Sequence, residues 1–478
     1  MHTDPRDIIA KEPMALMQAL IVAITVGLNA LDGFDVLSIS FASPGIMSEW
    51  GINRAALGIV LSMELFGMAL GSVALGGVAD KIGRRPTVLG CLVVMALGMY
   101  MVTTTNGVLG SLVTPIFGLF GKELDPRIAD LSTWRIITGL GIGGMLASIN
   151  AVAAEFSNRR RLSLTVAIMS IGYPVGAAAG GFITSASLSL DSWRSVFHFG
   201  ATVTLVFIPI VFFFMPESVH WLARKQPRGA LDKINSTLKR LGHSTVAALP
   251  VISAEVRKRS IGDIFRAGFL PITLIVTFAY FFHITTFYFI VKWVPQIVTS
   301  LGFAPSEAGN VLSWLNVGGA TGGTVVGLLG MRFPIKPVTI AVMLLSTIAV
   351  TIFGRTAPDL VRLILICMAA GFFTNGAITG MYTIFAQAFP THVRAFGTGV
   401  AVGVGRLGSV LAPIIGGFLL NANLPLARVA MIMALGSLVA ATLLLFLKYT
   451  AEQPEREADE EHVQEQQVPL KSAVAHGR

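Results

Sequence analysis

The chain has 478 residues, of which 54% are hydrophobic and only 13% are charged. Soluble domains carry about 25% charged residues, so this composition excludes a water-soluble protein and indicates that much of the surface faces lipid. The net charge is +9, but the Lys and Arg residues lie in short clusters between apolar segments, as in membrane proteins. We therefore expect a lipid bilayer, and no nucleic acid, as the partner of this surface.

Twelve apolar segments follow one another along the chain, each suited to a transmembrane helix of about 20 residues. Continuously apolar runs of this length exclude barrel strands, so the sequence predicts an all-α membrane protein. The segments lie near residues 15–42, 55–79, 87–105, 132–154, 162–187, 194–215, 269–298, 306–330, 335–354, 359–386, 396–420 and 425–448.

The same pattern divides the chain into four predicted parts. They are an N-terminal six-helix half (1–215), a cytoplasmic connector (216–268), a C-terminal six-helix half (269–448) and a tail (449–478). The tail is rich in acidic residues and poor in core-forming ones, which predicts disorder. The loop 106–131 is semi-apolar, and we expect a short external helix there.

Basic residues are distributed unevenly between the loops on the two sides. Loops rich in Lys and Arg stay in the cytoplasm, so the sequence predicts that both termini and the connector are cytoplasmic. The loops on that side contain Lys81, Arg84, Arg85, Arg159, Arg160, Arg161, Arg332, Lys336 and Arg394, and the connector adds ten more basic residues; the opposite loops contain Arg54, Lys122, Arg127 and Arg355.

A segment rich in glycine and charge, GGVADKIGRR, joins the second and third apolar segments at residues 76–85. Its glycines permit a tight turn and close helix approach, and Asp80 can face the positive N-terminal end of a neighbouring helix. The alternative is a segment that only fixes the topology. A related segment at 330–336 lacks the acid, so we expect no equivalent contact there.

This segment resembles the GxLADRxGRR loop of the major facilitator superfamily. The resemblance extends over nearly the whole chain, because the span number, the connector and the residues PES (216–218) and Trp221-Leu222 also fit. It implies the major facilitator fold, with 12 transmembrane helices in two six-helix halves. It also implies a conformational latch formed by Gly76, Asp80, Gly83, Arg84 and Arg85.

The first apolar segment contains two acids in the tetrapeptide DGFD, Asp32 and Asp35. A charged side chain within a span costs about 2.5–3.5 kcal/mol on insertion scales, so two of them indicate a function. Their spacing places both on one helix face, where they can carry protons into a common cavity. The alternative is a helix end that reaches water. DGFD resembles the aromatic acid/proton symporter family within the superfamily, which implies that these acids are required for transport.

Two further charges lie within apolar segments of the first half. Arg135 opens the fourth segment, and the family resemblance implies that this arginine takes part in proton coupling. Glu64 lies in the middle of the second segment and is a candidate for the proton path or for a partner of a buried base. The string formed by Gly139, Gly141 and Gly144 lies in an apolar helix, which favours close helix packing over a dinucleotide site.

Candidate substrate-binding residues come mainly from the second half. Arg406 lies deep in the eleventh segment, where it can bind a substrate carboxylate or form a structural salt bridge. The aromatic seventh segment contains Tyr288, which can stack on a ring, and His283, for which packing is the alternative. Lys292 lies near the end of that segment, and we expect it to reach the interface. The remaining candidates are Asp35, Asn316 and Asn375.

Together these features predict a secondary active transporter that takes up a small aromatic carboxylate with protons by alternating access. The alternatives are another organic anion, a sugar, or drug export on the same fold. No phosphate loop, metal-ligand motif or Ser/His/Asp grouping occurs in the sequence, and Cys91 and Cys367 lie in apolar segments. We therefore expect no enzyme activity, cofactor or metal. The family resemblance places such a protein in a bacterial inner membrane, as a monomer.

Overall fold

The computed structural model of the protein describes residues 4–105, 107, 125–188, 192–250, 269–389 and 391–448. Within these ranges the regular secondary structure is helical, with no strand. The tail 449–478, the end of the connector and most of the loop 106–131 lie outside the described residues, as do the predictions made for them.

Twelve of the described helices are 19 residues or longer, which confirms the predicted number of spans. They are α1 (Leu16–Trp50), α2 (Arg54–Ile82), α3 (Arg84–Val102), α4 (Pro126–Glu155), α5 (Leu162–Ser187), α6 (Arg194–Phe214), α7 (Leu270–Ser300), α8 (Pro305–Leu329), α9 (Ile335–Phe353), α10 (Leu360–Ala388), α11 (Thr391–Asn421) and α12 (Leu426–Phe446). All of them except α8 are apolar enough over a sufficient length to cross a membrane.

The helix α8 is less apolar because small and polar residues take the place of large apolar ones in its sequence. It packs between α5 and α10, and its sequence is rich in glycine, serine and threonine. Small residues of this kind let helices approach closely within a membrane.

Two helices extend beyond the predicted segments. The helix α1 continues to Trp50, whose ring meets that of Trp193 edge-on at 5.6 Å, and Glu49 forms an ion pair with Arg194 at 2.8 Å. The helix α4 begins at Pro126, where the side chain of Asp125 caps the first turn. In the sequence, the polar residues of these end turns look like loop residues. In the structure, their contacts with neighbouring groups stabilise a helix.

The packing of the first six helices recurs in the last six. In the first set α1 packs on α5, α2 on α4, and α3 on α4 and α6; in the second set α7 packs on α11, α8 on α10, and α9 on α10 and α12. The sequence carries a short match of the same kind, because EFSNRRR (155–161) follows the fourth span and AFPTHVR (388–394) follows the tenth, each with a Phe five positions before an Arg.

Glycines set the distance between the paired helices. A Cβ atom on Gly139 would meet the carbonyl oxygen of Glu64, and one on Gly141 would lie 2.7 Å from the side chain of Met95. The second half repeats the arrangement, since a Cβ on Gly318 would meet the carbonyl oxygen of Met368. Close packing, as predicted for the glycine string of α4, is confirmed.

The start of α1 and the end of α12 lie on one side of the molecule, which we call the terminal face. There Gln18 donates to the carbonyl of Phe156, and Lys336 donates to the carbonyl of Leu447 at 2.6 Å. The described part of the connector forms two short helices, Val219–Lys225 and Ala230–Arg240. The second one is amphipathic and buries Ala230, Ile234 and Leu238.

The two sets of six helices contact each other mainly toward the other side, which we call the opposite face. The start of α2 meets the end of α11, where Arg54 donates to the carbonyl of Leu420 at 3.3 Å. The end of α5 meets the start of α8, where the rings of Phe182 and Trp314 lie 5.5 Å apart. These contacts close the space between the two sets on the opposite face.

Candidate functional site: a cavity between the two sets of helices

A cavity of about 300 Å³ lies between the two sets of helices. This volume is at the lower end of the range for small-molecule sites, about 300–1,000 Å³. Asn150 and Ser170 in its wall are exposed and lie toward the terminal-face ends of α4 and α5, so the cavity opens to the terminal face. Its lining consists of Asn29, Leu65, Met68, Leu146, Asn150, Met169, Ser170, Tyr173, Pro174, Tyr280, Ile284, Phe287, Tyr288, Asn375, Ile378, Tyr382, Arg406 and Ser409.

Arg406 of α11 brings a positive charge to this cavity. The residue is half-buried, and its Nη1 atom is buried without a hydrogen-bond partner among the described residues. No carboxylate in the described part of the chain forms an ion pair with it. A buried guanidinium nitrogen without a partner is costly, and an anion in the cavity would remove that cost.

Aromatic rings surround the arginine. The hydroxyls of Tyr280 and Tyr382 are 3.1 Å apart and their ring centroids 5.9 Å apart, while Tyr288 and Phe287 add two further rings from α7. Such rings provide flat apolar area together with hydroxyl groups. The cavity therefore combines a positive charge with surfaces on which a planar ring can pack.

A second group of charges lies fully buried beside the cavity. Arg135 of α4 forms an ion pair with Glu64 of α2, and its Nη2 donates to the backbone carbonyl of Asp35 at 3.0 Å. Lys292 of α7 lies 3.8 Å from Glu64 and donates to the carbonyl of Val36 on α1. We call Asp32, Asp35, Glu64, Arg135 and Lys292 the buried charge cluster.

The carboxylates of Asp32 and Asp35 have no hydrogen-bond partner among the described residues. Both side chains are fully buried and neither lines the cavity. The carboxylate of Asp35 faces Gly200 of α6, so it points into the first set of helices. Asn29 lies one helical turn from Asp32 and does line the cavity, which makes it the nearest link between the acids and the cavity along α1.

The structure brings together some of the predicted substrate-binding residues and separates others. Arg406, Tyr288 and Asn375 line the cavity. His283 does not, because its ring nitrogens face the Ser437 hydroxyl and the Thr374 carbonyl at 2.9 Å each. These contacts correspond to the packing alternative stated for this histidine.

Two further residues lie elsewhere than expected. Asn316 is buried away from the cavity and donates to the carbonyl of Leu312 within its own helix at 2.9 Å. The expectation that Lys292 reaches the interface is wrong, because its side chain is fully buried beside Glu64. The sequence shows that Lys292 lies within an apolar segment, but it does not show that Glu64 and Val36, which are distant in the chain, contact this lysine.

The GGVADKIGRR segment lies on the terminal face and forms contacts within itself and with the connector. Asp80 forms ion pairs with Arg84 at 2.9 Å and with Arg224 of the connector at 3.4 Å. Trp221 donates to the carbonyl of Asp80 at 3.1 Å. Among the described residues, α11 forms no ion pair or hydrogen bond with Asp80, which fits a cavity that is open on this face.

Gly83 connects this segment to the residues after α6. Its φ of 112° is a conformation that favours glycine, and a Cβ atom there would meet the carboxylate of Glu217. That carboxylate accepts from the backbone N–H of Arg84 at 2.8 Å, at the N-terminus of α3. Burial raises the pKa of Glu217, although the backbone hydrogen bonds from Ser218 and Arg84 oppose this. The sequence motif PES had indicated this position only through the family resemblance.

Comparisons with known proteins agree with this architecture. A family model described as Major Facilitator Superfamily matches residues 25–298 and 276–477. A gallate transporter of Pseudomonas putida is 28% identical, with 92% of this chain and 94% of the relative covered. A 4-hydroxybenzoate transporter, PcaK, of Acinetobacter baylyi is 27% identical, with 93% and 94% covered.

Among solved structures, the inward-open xylose transporter XylE from E. coli resembles this chain with a TM-score of 0.66. Its identity is 16%, with 92% of this chain and 99% of that chain covered, so the likeness concerns the fold. The expectations of a twelve-helix multi-pass membrane protein and of a transporter rather than an enzyme are confirmed. The match of the family model to both halves of the sequence shows that this chain belongs to the Major Facilitator Superfamily.

Proposed function

We propose that this protein takes up a small aromatic carboxylate together with protons across a bacterial inner membrane. The observation that carries the proposal is the Nη1 atom of Arg406, buried in the cavity wall without a partner. A carboxylate supplies two oxygens in the plane that a guanidinium recognises. The substrate carboxylate binds there, and its ring packs among Tyr280, Tyr288 and Tyr382.

The relatives support the substrate class. The gallate and 4-hydroxybenzoate transporters named above carry aromatic acids by name, and each aligns over more than nine-tenths of this chain. The likeness to the xylose transporter is confined to the fold. The buried guanidinium nitrogen of Arg406 without a partner favours an anion over a sugar or an uncharged drug.

Transport follows from relative motion of the two halves, 1–215 and 269–448. In the present state the contacts of α2 with α11 and of α5 with α8 close the opposite face. When these contacts separate and the terminal face closes, the cavity faces the other side. Asp32 and Asp35 carry the proton, Arg135 stabilises the ionised form of Asp35, and Glu64 holds Arg135 in place through their ion pair.

The terminal face is cytoplasmic in this proposal, and the cavity is complete within one chain, which supports a monomeric transporter. The orientation is tested in intact cells with a membrane-impermeant thiol reagent. Ala357→Cys, exposed between α9 and α10, should react, and Lys239→Cys in the connector should react only after permeabilisation. The reverse labelling would refute the orientation.

The substrate class is tested by counterflow in proteoliposomes that contain the purified protein. Benzoate and 4-hydroxybenzoate should exchange, and benzamide should not, because it lacks the charge that pairs with Arg406. Cyclohexanecarboxylate keeps the charge but loses the planar ring, so its exchange should be much weaker. Exchange of xylose, or equal exchange of benzamide and benzoate, would refute the proposal.

A further inference from the structure

In the buried charge cluster, Lys292 is the residue that comes from the second half of the molecule. Asp32, Asp35, Glu64 and Arg135 lie on α1, α2 and α4, whereas Lys292 lies on α7. Its Nζ donates to the Val36 carbonyl of α1 and is 3.8 Å from Glu64. The lysine therefore reaches across the boundary between the halves into a group of acids that the other half provides.

This contact depends on the conformation of the transporter. Three charges on the other helices that pack on α7 lie away from the cluster, because Glu307, Arg362 and Arg428 occupy the first turns of α8, α10 and α12. Arg406 of α11 lines the cavity and acts electrostatically on Asp32, but it forms no ion pair with the cluster among the described residues. Opening the opposite face requires α7 to separate from α1 and α2. Lys292 then leaves the cluster, while Arg135 remains with the acids of its own half.

The net charge of the cluster is one unit more negative when the opposite face is open than when it is closed. With Lys292 present, three carboxylates face two cations; without it, the same carboxylates face Arg135 only. A buried site does not tolerate an added negative charge, so the loss of one cation favours uptake of another. A proton from water on the opposite face can bind to one of these carboxylates.

We propose that Lys292 and the transported proton occupy the buried charge cluster in turn. When the opposite face opens, a carboxylate of the cluster gains a proton from water and forms an O–H bond. When α7 returns, the ammonium of Lys292 replaces the proton, the O–H bond breaks, and the proton passes to water in the cavity on the terminal face. Asn29, one turn from Asp32, lies on that path.

The inference rests on the proposed function and extends it, because it assigns proton release to a residue outside the acidic motif. Removing the charge of Lys292 distinguishes a coupling role from a packing role. If the lysine only packs, its replacement should reduce exchange and uphill uptake equally. If the lysine replaces the proton, its replacement should reduce uphill uptake far more than exchange.

The experiment compares Lys292→Met, Lys292→Gln and Lys292→Arg in proteoliposomes with 4-hydroxybenzoate. In the two neutral variants the proton stays bound throughout the cycle, so accumulation driven by a pH gradient should fall at least tenfold while counterflow persists. Counterflow should then decline as pH rises, because it requires the protonated cluster. Lys292→Arg keeps the charge and should retain proton-driven accumulation.

A double variant removes one acid as well. Lys292→Met with Glu64→Gln leaves two carboxylates and Arg135 in both states, so counterflow should lose its dependence on pH and should remain uncoupled from proton entry. Lys239→Met, an exposed lysine of the connector, is the matched control and should behave as the unmodified protein. Size-exclusion chromatography identifies folded variants before the assays.

The inference would be overturned if folded Lys292→Met or Lys292→Gln still moved as many protons per substrate as the unmodified protein. It would also be overturned if both variants lost exchange and uphill uptake to the same extent. Failure of the proposed function gives a different result, because the unmodified protein would then exchange no aromatic carboxylate. The two outcomes are therefore separable in one set of measurements.

Discussion

At the scale of single residues, the environment of each charge indicates its role. Arg406 faces the cavity with an unpaired nitrogen, whereas Arg135 is fully buried against Glu64 and the carbonyl of Asp35. The first arrangement leaves a position for a ligand, and the second is already filled by protein. Two arginines that look alike in the sequence thus differ in what they can bind.

Replacing Arg406 by lysine tests the planar recognition of the carboxylate. Lys keeps the charge but loses the guanidinium fork, so one charge-assisted hydrogen bond of about 1.5–3 kcal/mol is lost. We expect KM to rise about 10- to 100-fold, since each 1.4 kcal/mol is tenfold in affinity. Arg428→Lys at the exposed start of α12 is the control. An unchanged KM in Arg406→Lys would contradict the carboxylate site.

Replacing Asp32 or Asp35 by asparagine tests proton carriage. Each change removes a group that can take up a proton but leaves a polar side chain of the same size. We expect both variants to lose accumulation driven by a pH gradient, and we expect exchange without a gradient to survive in one of them. Proton movement during uptake is the measurement. If the double variant still moves protons in step with substrate, Asp32 and Asp35 are not the carriers.

The sequence predicted some of these residues better than others, for physical reasons. A charge deep in an apolar helix must face protein or a cavity, and the structure places Arg135 and Glu64 within the protein and Arg406 in the cavity wall. The rotation of each helix about its axis is set by packing, so the sequence could not distinguish Asn375, which lines the cavity, from Asn316, which does not. Lys292 was misplaced because its partner Glu64 is distant in the chain.

At the scale of helices, close glycine contacts hold α2 against α4. Gly139→Ala places a Cβ atom against the carbonyl oxygen of Glu64, and overpacking of this kind costs about 1–3 kcal/mol. We expect a lower melting temperature in detergent. Gly90→Ala in α3 is the matched control, because no atom lies within 4 Å of its Cβ position. Equal melting of the two variants would contradict the contact.

The segment between α2 and α3 has a role that differs between states. Here Asp80 pairs with Arg84 and Arg224, and surface ion pairs contribute only about 0–1 kcal/mol. Asp80→Asn should therefore leave the stability of this state unchanged while lowering transport several-fold, because the state with the terminal face closed loses its latch. Asp232→Asn in the connector is the control. Wild-type uptake in Asp80→Asn would refute the latch.

Helix number and order were predictable from the sequence, whereas helix ends and helix partners were only partly so. Twelve apolar runs specify twelve helices, because each must satisfy its backbone within lipid. The extra turns of α1 and α4 contain Glu49 and Asp125, which are polar and resemble loop residues until their contacts with Arg194 and the α4 N-terminus are known.

At the scale of the whole molecule, the closed opposite face predicts that one crosslink can arrest transport. The Cβ of Ser185 lies 3.2 Å from the Cβ position of Gly309, close to the spacing in disulfides. In the variant Ser185→Cys with Gly309→Cys, oxidation should stop uptake by holding the present state, and reduction should restore it. Each single variant is a control, since Cys91 and Cys367 are buried. Full uptake after complete crosslinking would contradict the motion of the two halves.

The glycine-rich face of α8 also has a consequence for biosynthesis. In the finished protein this face meets backbone atoms of α10, since a Cβ on Gly322 would strike the carbonyl oxygen of Phe372. The ribosome completes α8 before α10 exists, so the nascent helix has too little apolar surface to remain alone in lipid. We expect α8 to wait beside the translocon or against α5 until α10 emerges, and the second half to enter the bilayer as a group rather than helix by helix.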